Sequence, residues 1–239
     1  MISVLMPVYN TDPTFLAGAI ESCLHQTIED YEIIIIDNES DNPETLNVLS
    51  IYSKKDKIKI YVCPREKDKN NISIALNMGL EKSKYNIIAR MDSDDLMFHD
   101  RLEKQVRYMQ ENPEVDIVGA QMKIIPDNYY TNHPLEITPQ LASKSSWFIN
   151  HPTVTYRRQK IINIGGYKDM PQHGAEDYIL WMTAIRNKVL IKNMHEPVLF
   201  YRSHGNNLTR QREKHQSYYS SIKFQQNKLK EMITTGELP

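Results

Sequence analysis

The sequence predicts an α/β protein with a mostly parallel, Rossmann-like central sheet flanked by helices and a C-terminal helical tail. Three observations carry this. Short β-rich apolar runs alternate with segments of helical periodicity through the first half of the 239 residues. One of these runs, EIIIID at 32–37, is apolar on both strand faces, as a central parallel strand requires. Two junctions, Asp12-Pro13 and Asn42-Pro43, pair an N-cap residue with a first-turn proline.

Taken in order, ISVLMPV (2–8) is the first strand. Phe15, Leu16, Ala19, Ile20, Cys23 and Leu24 then recur at helical spacing and predict a helix that buries one stripe. After EIIIID, Asn42-Pro43 opens a second helix carrying Leu46, Val48, Leu49 and Tyr52. KIKIYV (57–62) is a third strand, ISIALNMGLEKS (72–83) a helix, and YNIIARM (85–91) a fourth strand. Beyond it, Leu102, Val106 and Met109 mark a helix leading to a strand at 115–119. TVTY (153–156) is a strand, Gly165-Gly166 a turn, and EDYILWMTAIRN (176–187) a helix. VLIKN (189–193) and PVLFYR (197–202) read as two further strands, and a polar, basic helix follows from about 206. With no repeat and no composition break, residues 1–205 are expected to form one domain, with a half at 1–97, a half at 98–205 and a tail at 206–239.

Apolar residues make up 40% and charged residues 25%, as in an ordinary globular chain, and the net charge of −1 offers no field for nucleic acid or an anionic membrane. Cys23 and Cys63 form no CxxC pair and sit in apolar periodic segments, so both are expected to be reduced core residues. MISVLMPVYN carries no basic leader and too short an apolar run for a signal peptide, and no segment approaches transmembrane length. The expectation is a cytoplasmic protein, with any membrane role peripheral.

ARMDSDDL (89–96) places Asp92, Asp94 and Asp95 directly after the fourth strand. Open parallel sheets bind ligands beyond the carboxyl ends of their strands. If the chain stays extended, Asp92 and Asp94 converge while Ser93 points away. Converging carboxylates raise each other's pKa unless a cation lies between them, and their oxygens suit Mg²⁺ or Mn²⁺. Asp95 is free in this reading to cap the helix that follows, and a solvated acidic turn that caps that helix is the plainer account of the whole cluster. An EF-hand beginning at Asp92 is excluded by Leu96 and Met97 at its fifth and sixth positions. There is no HExxH, no GxxxxGK[ST] and no GxGxxG; the turn after strand one is PVYNTD. The charge of a nucleotide diphosphate therefore has no glycine cradle and no nearby lysine to meet it, whereas a metal on Asp92 and Asp94 would.

PVYN, IIIIDNES, ALNMGL, ARMDSDD, HPTVTYRR, GGY, AEDYILW and YRSHGNN occur in that order between residues 2 and about 205. The ordered set resembles the family 2 glycosyltransferases with the GT-A fold. The resemblance implies a nucleotide-sugar donor, most often a UDP-sugar, a divalent metal, Mn²⁺ or Mg²⁺, and a glycan or lipid-linked saccharide acceptor. It assigns Pro7, Val8, Tyr9, Asn10 and Asp37 to the base and ribose, Asp92 to the ribose, and Asp94 to the metal, with His204 as a further metal ligand or a contact to the diphosphate. It makes Asp177 the general base that removes the acceptor proton in an inverting displacement, with Glu176 holding the acceptor or orienting the loop. From the residues alone, acids in a first helical turn equally offset the helix dipole. Asn77, Arg90 and Gly166 are further donor or acceptor contacts under the resemblance. Several family members carry an arginine where this chain has Leu76. A sugar nucleotidyltransferase and a catalytically inactive nucleotide-sugar-binding scaffold are the alternatives; the former normally shows a glycine-rich loop after strand one.

Arg210, Arg212, Lys214, Lys223, Lys228 and Lys230 make the tail basic, and Tyr218, Ile222, Leu229 and Ile233 fall near one helical face. Such a stripe suits packing on the domain, a homodimer contact, or a membrane surface.

Overall fold

A computed structural model of the chain describes residues 1–169, 175–205, 207 and 215–238. The first half alternates as expected: β1 (Ile2–Val8), α1 (Pro13–Leu24), β2 (Tyr31–Asp37), α2 (Pro43–Tyr52), β3 (Ile58–Val62), α3 (Asn71–Lys82) and β4 (Ile87–Arg90). The second half adds β5 (Leu96–Met97), α4 (Arg101–Glu111), β6 (Ile117–Ile125), β7 (Tyr129–Tyr130) and α5 (Pro139–Ala142). A 3₁₀ turn (His151–Thr153), β8 (Thr155–Arg157), α6 (Arg158–Asn163), α7 (Glu176–Arg186), β9 (Ile191–Arg202) and α8 (Gln216–Thr234) complete it.

The sheet has nine strands in the order β3-β2-β1-β4-β8-β6-β9-β5, with β7 paired to β6. β3, β2, β1 and β4 are mutually parallel, and β1 and β2 run in register from Ile2 opposite Tyr31 to Val8 opposite Asp37. β8 lies antiparallel to both β4 and β6, and β6 and β9 are parallel. The carboxyl ends of β1, β2 and β4 thus open on one edge, where Pro7 to Asp12, Asn38 and Asp92 to Asp94 gather.

Local chemistry explains the helix starts. Asp12 Oδ1 accepts from the Thr14 and Phe15 N–H groups, and Asn42 Oδ1 from those of Glu44 and Thr45. Apolar residues alternate across the sheet. Val4, Met6 and Val8 pack with Leu16, Ala19 and Ile20 of α1, whereas Leu5, Ile34 and Ile36 pack with Ala75, Leu76 and Leu80 of α3. α3 approaches β1 so closely that a Cβ at Gly79 would lie 2.0 Å from Leu5 Cδ1. Cys23 and Cys63 are free and buried in these two layers.

The second half departs from expectation in places. The stretches at 189–193 and 197–202 are one strand: its pairing with β6 jumps from Gly119–Asn193 to Gln121–Pro197, so β9 carries two extra residues there in a bulge that does not end it. β6 begins at Ile117 rather than at 115, and the TVTY strand is displaced to Thr155–Arg157 because His151–Thr153 coil into the 3₁₀ turn. In α8, Ile222 and Leu229 are buried on the α3–α7 side of the core, with Tyr218, Met232 and Ile233 packed around them. The apolar stripe of the tail therefore faces the domain. Arg210, Arg212 and Lys214 lie outside the described residues. No described helix is long and apolar enough to cross a membrane.

Candidate active site

The site is a cavity of about 770 Å³ at the sheet's carboxyl edge. Its floor is the loop after β1. Asn10 adopts a left-handed backbone (φ 47°), a conformation asparagine tolerates better than most residues. Its side-chain oxygen accepts from the Asp41 and Asn42 N–H groups and its amide donates to Asp41 Oδ1 at 2.7 Å. Asn10 thus staples the first loop to the loop after β2. Thr11 extends the tie to the acidic loop through a 2.7 Å contact with Ser93 Oγ. Tyr9 leaves 46% of its surface exposed, and the Arg65 guanidinium lies 3.7 Å from its ring centroid. Arg65 also donates to Asn38 Oδ1 at 3.3 Å. Asp37 ends β2 buried and accepts from the Ser40 N–H at 3.1 Å, a turn-capping bond.

The acidic loop adjoins the loop after β1 and lines the same cavity. β4 ends at Arg90, and the chain bends at Ser93 to Asp95 rather than staying extended. Ser93 lines the same cavity as Asp92 and Asp94, which corrects the expectation that it points away. Fully buried Arg90 pairs with Asp92 at 2.5 Å. Burial alone would lower the Arg90 guanidinium, but the charge and hydrogen bond of Asp92 outweigh it and raise its pKa. Asp94 Oδ2 lies 3.0 Å from His204 Nε2. Burial, then the charge of Asp92, pushes the Asp94 carboxyl above its ordinary value, against the pull of His204.

Asp95 does not cap α4. It is fully buried, Oδ1 accepts from the Arg202 N–H at 2.8 Å, and Oδ2 has no partner among the described residues. The residue at the α4 cap position is Asp100, which makes no capping side-chain bond. Burial, followed by the charges of Asp92 and Asp94, pushes Asp95 well up. Arg202 also donates to the Asp94 carbonyl at 2.8 Å, so the end of β9 holds this loop in place.

Ligand atoms of Asp92, Asp94 and Asp95 all lie within 4.8 Å of one another. Three crowded carboxylates, one with an orphaned buried oxygen, fit a hard divalent cation, which would relieve their repulsion. Asp92, Asp94 and the neighbouring His204 are the residues facing the cavity that would hold it.

Pro7, Val8, Tyr9, Asn10, Asp92, Asp94 and His204 line the cavity. Asp37, Arg90, Asn77, Gly166, Glu176 and Asp177 are not part of its lining. Asn77 gives its amide to the Tyr167 carbonyl at 2.8 Å and accepts from the Tyr167 N–H at 2.9 Å. A Cβ on Gly166 (φ 61°) would fall 2.5 Å from Asn77 Oδ1. Glu176 is buried and accepts from Asn70 at 3.0 Å, tying α7 to the start of α3. Asp177 is half-buried, and its Oδ1 accepts from the Tyr178 N–H at 2.7 Å.

The sequence reading missed Asn38, Arg65, Lys69, Asn70 and Asn71, all in the lining. Their signal was position: Asn38 follows the carboxyl end of β2, and PREKDKNN (64–71) follows that of β3, as the aspartates of ARMDSDDL follow that of β4. The cavity therefore does contain a lysine.

WbnJ, an O-antigen biosynthesis glycosyltransferase of Escherichia coli, is 36% identical over 215 residues, covering 86% of this chain and 80% of the relative. S. aureus TarS, solved with UDP-GlcNAc, superposes with a TM-score of 0.71 at 19% identity over 87% of this chain and 60% of its own. The mannosyltransferase PcManGT from Pyrobaculum calidifontis, solved with GDP-Man and Mn²⁺, gives 0.65 at 17% identity over 89% and 60%. The chain thus spans well under two thirds of either solved protein, and those two likenesses establish the GT-A fold. The Glycosyl transferase family 2 model matches residues 3–193, and the chain belongs to that family.

Proposed function

We propose that this glycosyltransferase moves a sugar from a nucleotide-sugar, a UDP-sugar in the first instance, to a hydroxyl of a glycan or lipid-linked saccharide, with divalent metal and with inversion. The observation that carries the proposal is the meeting of the Tyr9 platform and the Asp92/Asp94 pair in one cavity. Tyr9, backed by Arg65, offers a flat exposed ring on which a base stacks. Asp92, fixed by Arg90, accepts from ribose hydroxyls. When bound, the metal neutralises the charge that gathers on the leaving diphosphate. Asp177 removes the acceptor proton as the hydroxyl attacks. Glu176 anchors the turn that carries Asp177 through its bond from Asn70. TarS and PcManGT were solved with different nucleotides, so the base is the first thing to measure.

The test is thermal unfolding with Mn²⁺ and a panel of nucleoside diphosphates, on wild type and Asp94→Ala. At a hundredfold excess over Kd, a ligand of the native state stabilises by about 2.7 kcal/mol. One nucleotide should give a metal-dependent shift that Asp94→Ala abolishes. A folded wild type that responds to none of them would overturn the donor site.

A further inference from the structure

We propose that Lys69 grips the donor diphosphate, and that Asp169 occupies the same ammonium group until the donor displaces it. This deepens the nucleotide-sugar reading above and rests on it. Lys69 lines the cavity together with Asp92, Ser93, Asp94 and His204. Its ammonium is ion-paired with Asp169, which lies outside the lining. The two side chains are 40% and 66% exposed, so water and salt weaken the pair and either partner is readily exchanged.

The other cations leave this role to Lys69. Arg65 is engaged at the Tyr9 end, by its ring contact and its bond to Asn38. Arg90 is buried and held by Asp92. Arg202 is committed to the Asp94 carbonyl and to the Phe15 ring. An anion facing Asp92 and Asp94 is repelled from that wall unless a metal covers it, so its remaining charge must be met across the cavity. Lys69 lines the same cavity, and α3 starts two residues on. Asn70, at the cap position, gives its amide to Glu176 and makes no capping side-chain bond to α3. Asn71 and Ile72 of the first turn line the cavity, so the positive end of the helix adds to the lysine's charge. A lysine ammonium is a compact charge with three donors, and phosphate oxygens compete for it more strongly than an exposed carboxylate does.

The experiment is calorimetric titration of the full chain with UDP, GDP, ADP, CDP and TDP, and with the matching monophosphates, in Mn²⁺. Wild type, Lys69→Met, Asp169→Asn and the double variant are compared. For the nucleotide that binds wild type best, Lys69→Met should weaken the diphosphate about tenfold and the monophosphate by much less, as expected for one lost charge-assisted hydrogen bond. Asp169→Asn should strengthen diphosphate binding, and the double variant should behave like Lys69→Met. An unchanged Kd in Lys69→Met overturns the proposal while leaving the donor site standing. So does Asp169→Asn weakening binding as Lys69→Met does, which would make the ion pair a structural strap. If wild type binds no diphosphate, the donor site falls and this proposal with it. Asp169 is exposed and Lys69 half-buried, and matching Tm values exclude a folding defect.

Discussion

Asp95 lies one position beyond the residues that face the cavity, yet its surroundings are those of the core. One oxygen is bound by the Arg202 N–H and the other has no partner among the described residues. A neutral amide costs less to bury than a carboxylate. Asp95→Asn is therefore expected to raise metal-free stability by about 1 kcal/mol. If the proposed cation site holds Mn²⁺, the same change should shrink the stabilisation the ion confers, and thermal melts with and without chelator measure both. Asp177 is the opposite case, exposed enough to meet a substrate. Asp177→Asn should keep the wild-type Tm and lose about 10²–10⁴-fold in turnover, measured as sugar transfer. Near-normal turnover in the folded variant would remove Asp177 as the base. The sequence made the 92/94 pair legible because the cluster stands at the carboxyl end of a parallel strand, where open sheets bind their ligands. It did not make Asp95 legible, since burial depends on β9 arriving from more than a hundred positions away.

At the scale of elements, the turn before α7 depends on a glycine and an asparagine acting together. Gly166 is in the left-handed region, and Asn77 of α3 clamps both backbone groups of Tyr167. Gly166→Ala adds left-handed strain and drives a Cβ toward Asn77 Oδ1, for a loss of about 1–3 kcal/mol. Urea unfolding should show a lower midpoint with an unchanged slope. In the Asn77→Ala background the penalty should shrink, and full additivity would show that the contact is not its cause. Strands β1 and β2 were legible because they are buried on both faces and followed by Asp-Pro and Asn-Pro. β9 was read as two strands because its bulge looks like a loop in sequence. The wall formed by Arg65 and Lys69 was missed because a charged turn reads the same whether it faces solvent or a cavity.

Across the whole molecule, the parallel half is strapped by a buried acid. Glu32 of β2 accepts from Ser3 Oγ of β1, Lys59 Nζ of β3 and the Lys84 N–H that follows α3. Burial alone would raise its pKa, but the bonds from Lys59, Ser3 and Lys84 together outweigh it and lower it. A carboxylate with a depressed folded pKa contributes stability that is present above its unfolded value, near 4.3, and is lost as pH falls through the folded one. Glu32→Gln should thus be less stable than wild type at pH 7, by about 1–2 kcal/mol. The gap should narrow below pH ~4 as the wild-type carboxylate takes up its proton. Urea titrations at pH 7 and pH 3 test this, and a gap constant across that range would mean that the strap is not ionic.

β9 carries one further consequence, for the order in which the protein is made. The ribosome releases β1, Tyr9 and the acidic loop early, but Arg202 and His204 come from the far end of β9. A nascent chain halted at 193, where the family match stops, would hold the base platform and both cavity-facing aspartates. It would lack the backbone donor to Asp95, the guanidinium on the Asp94 carbonyl and the imidazole beside Asp94. The contacts that fix the acidic loop are thus completed late in synthesis, and the proposed cation site lacks them until residue 204 has emerged from the ribosome.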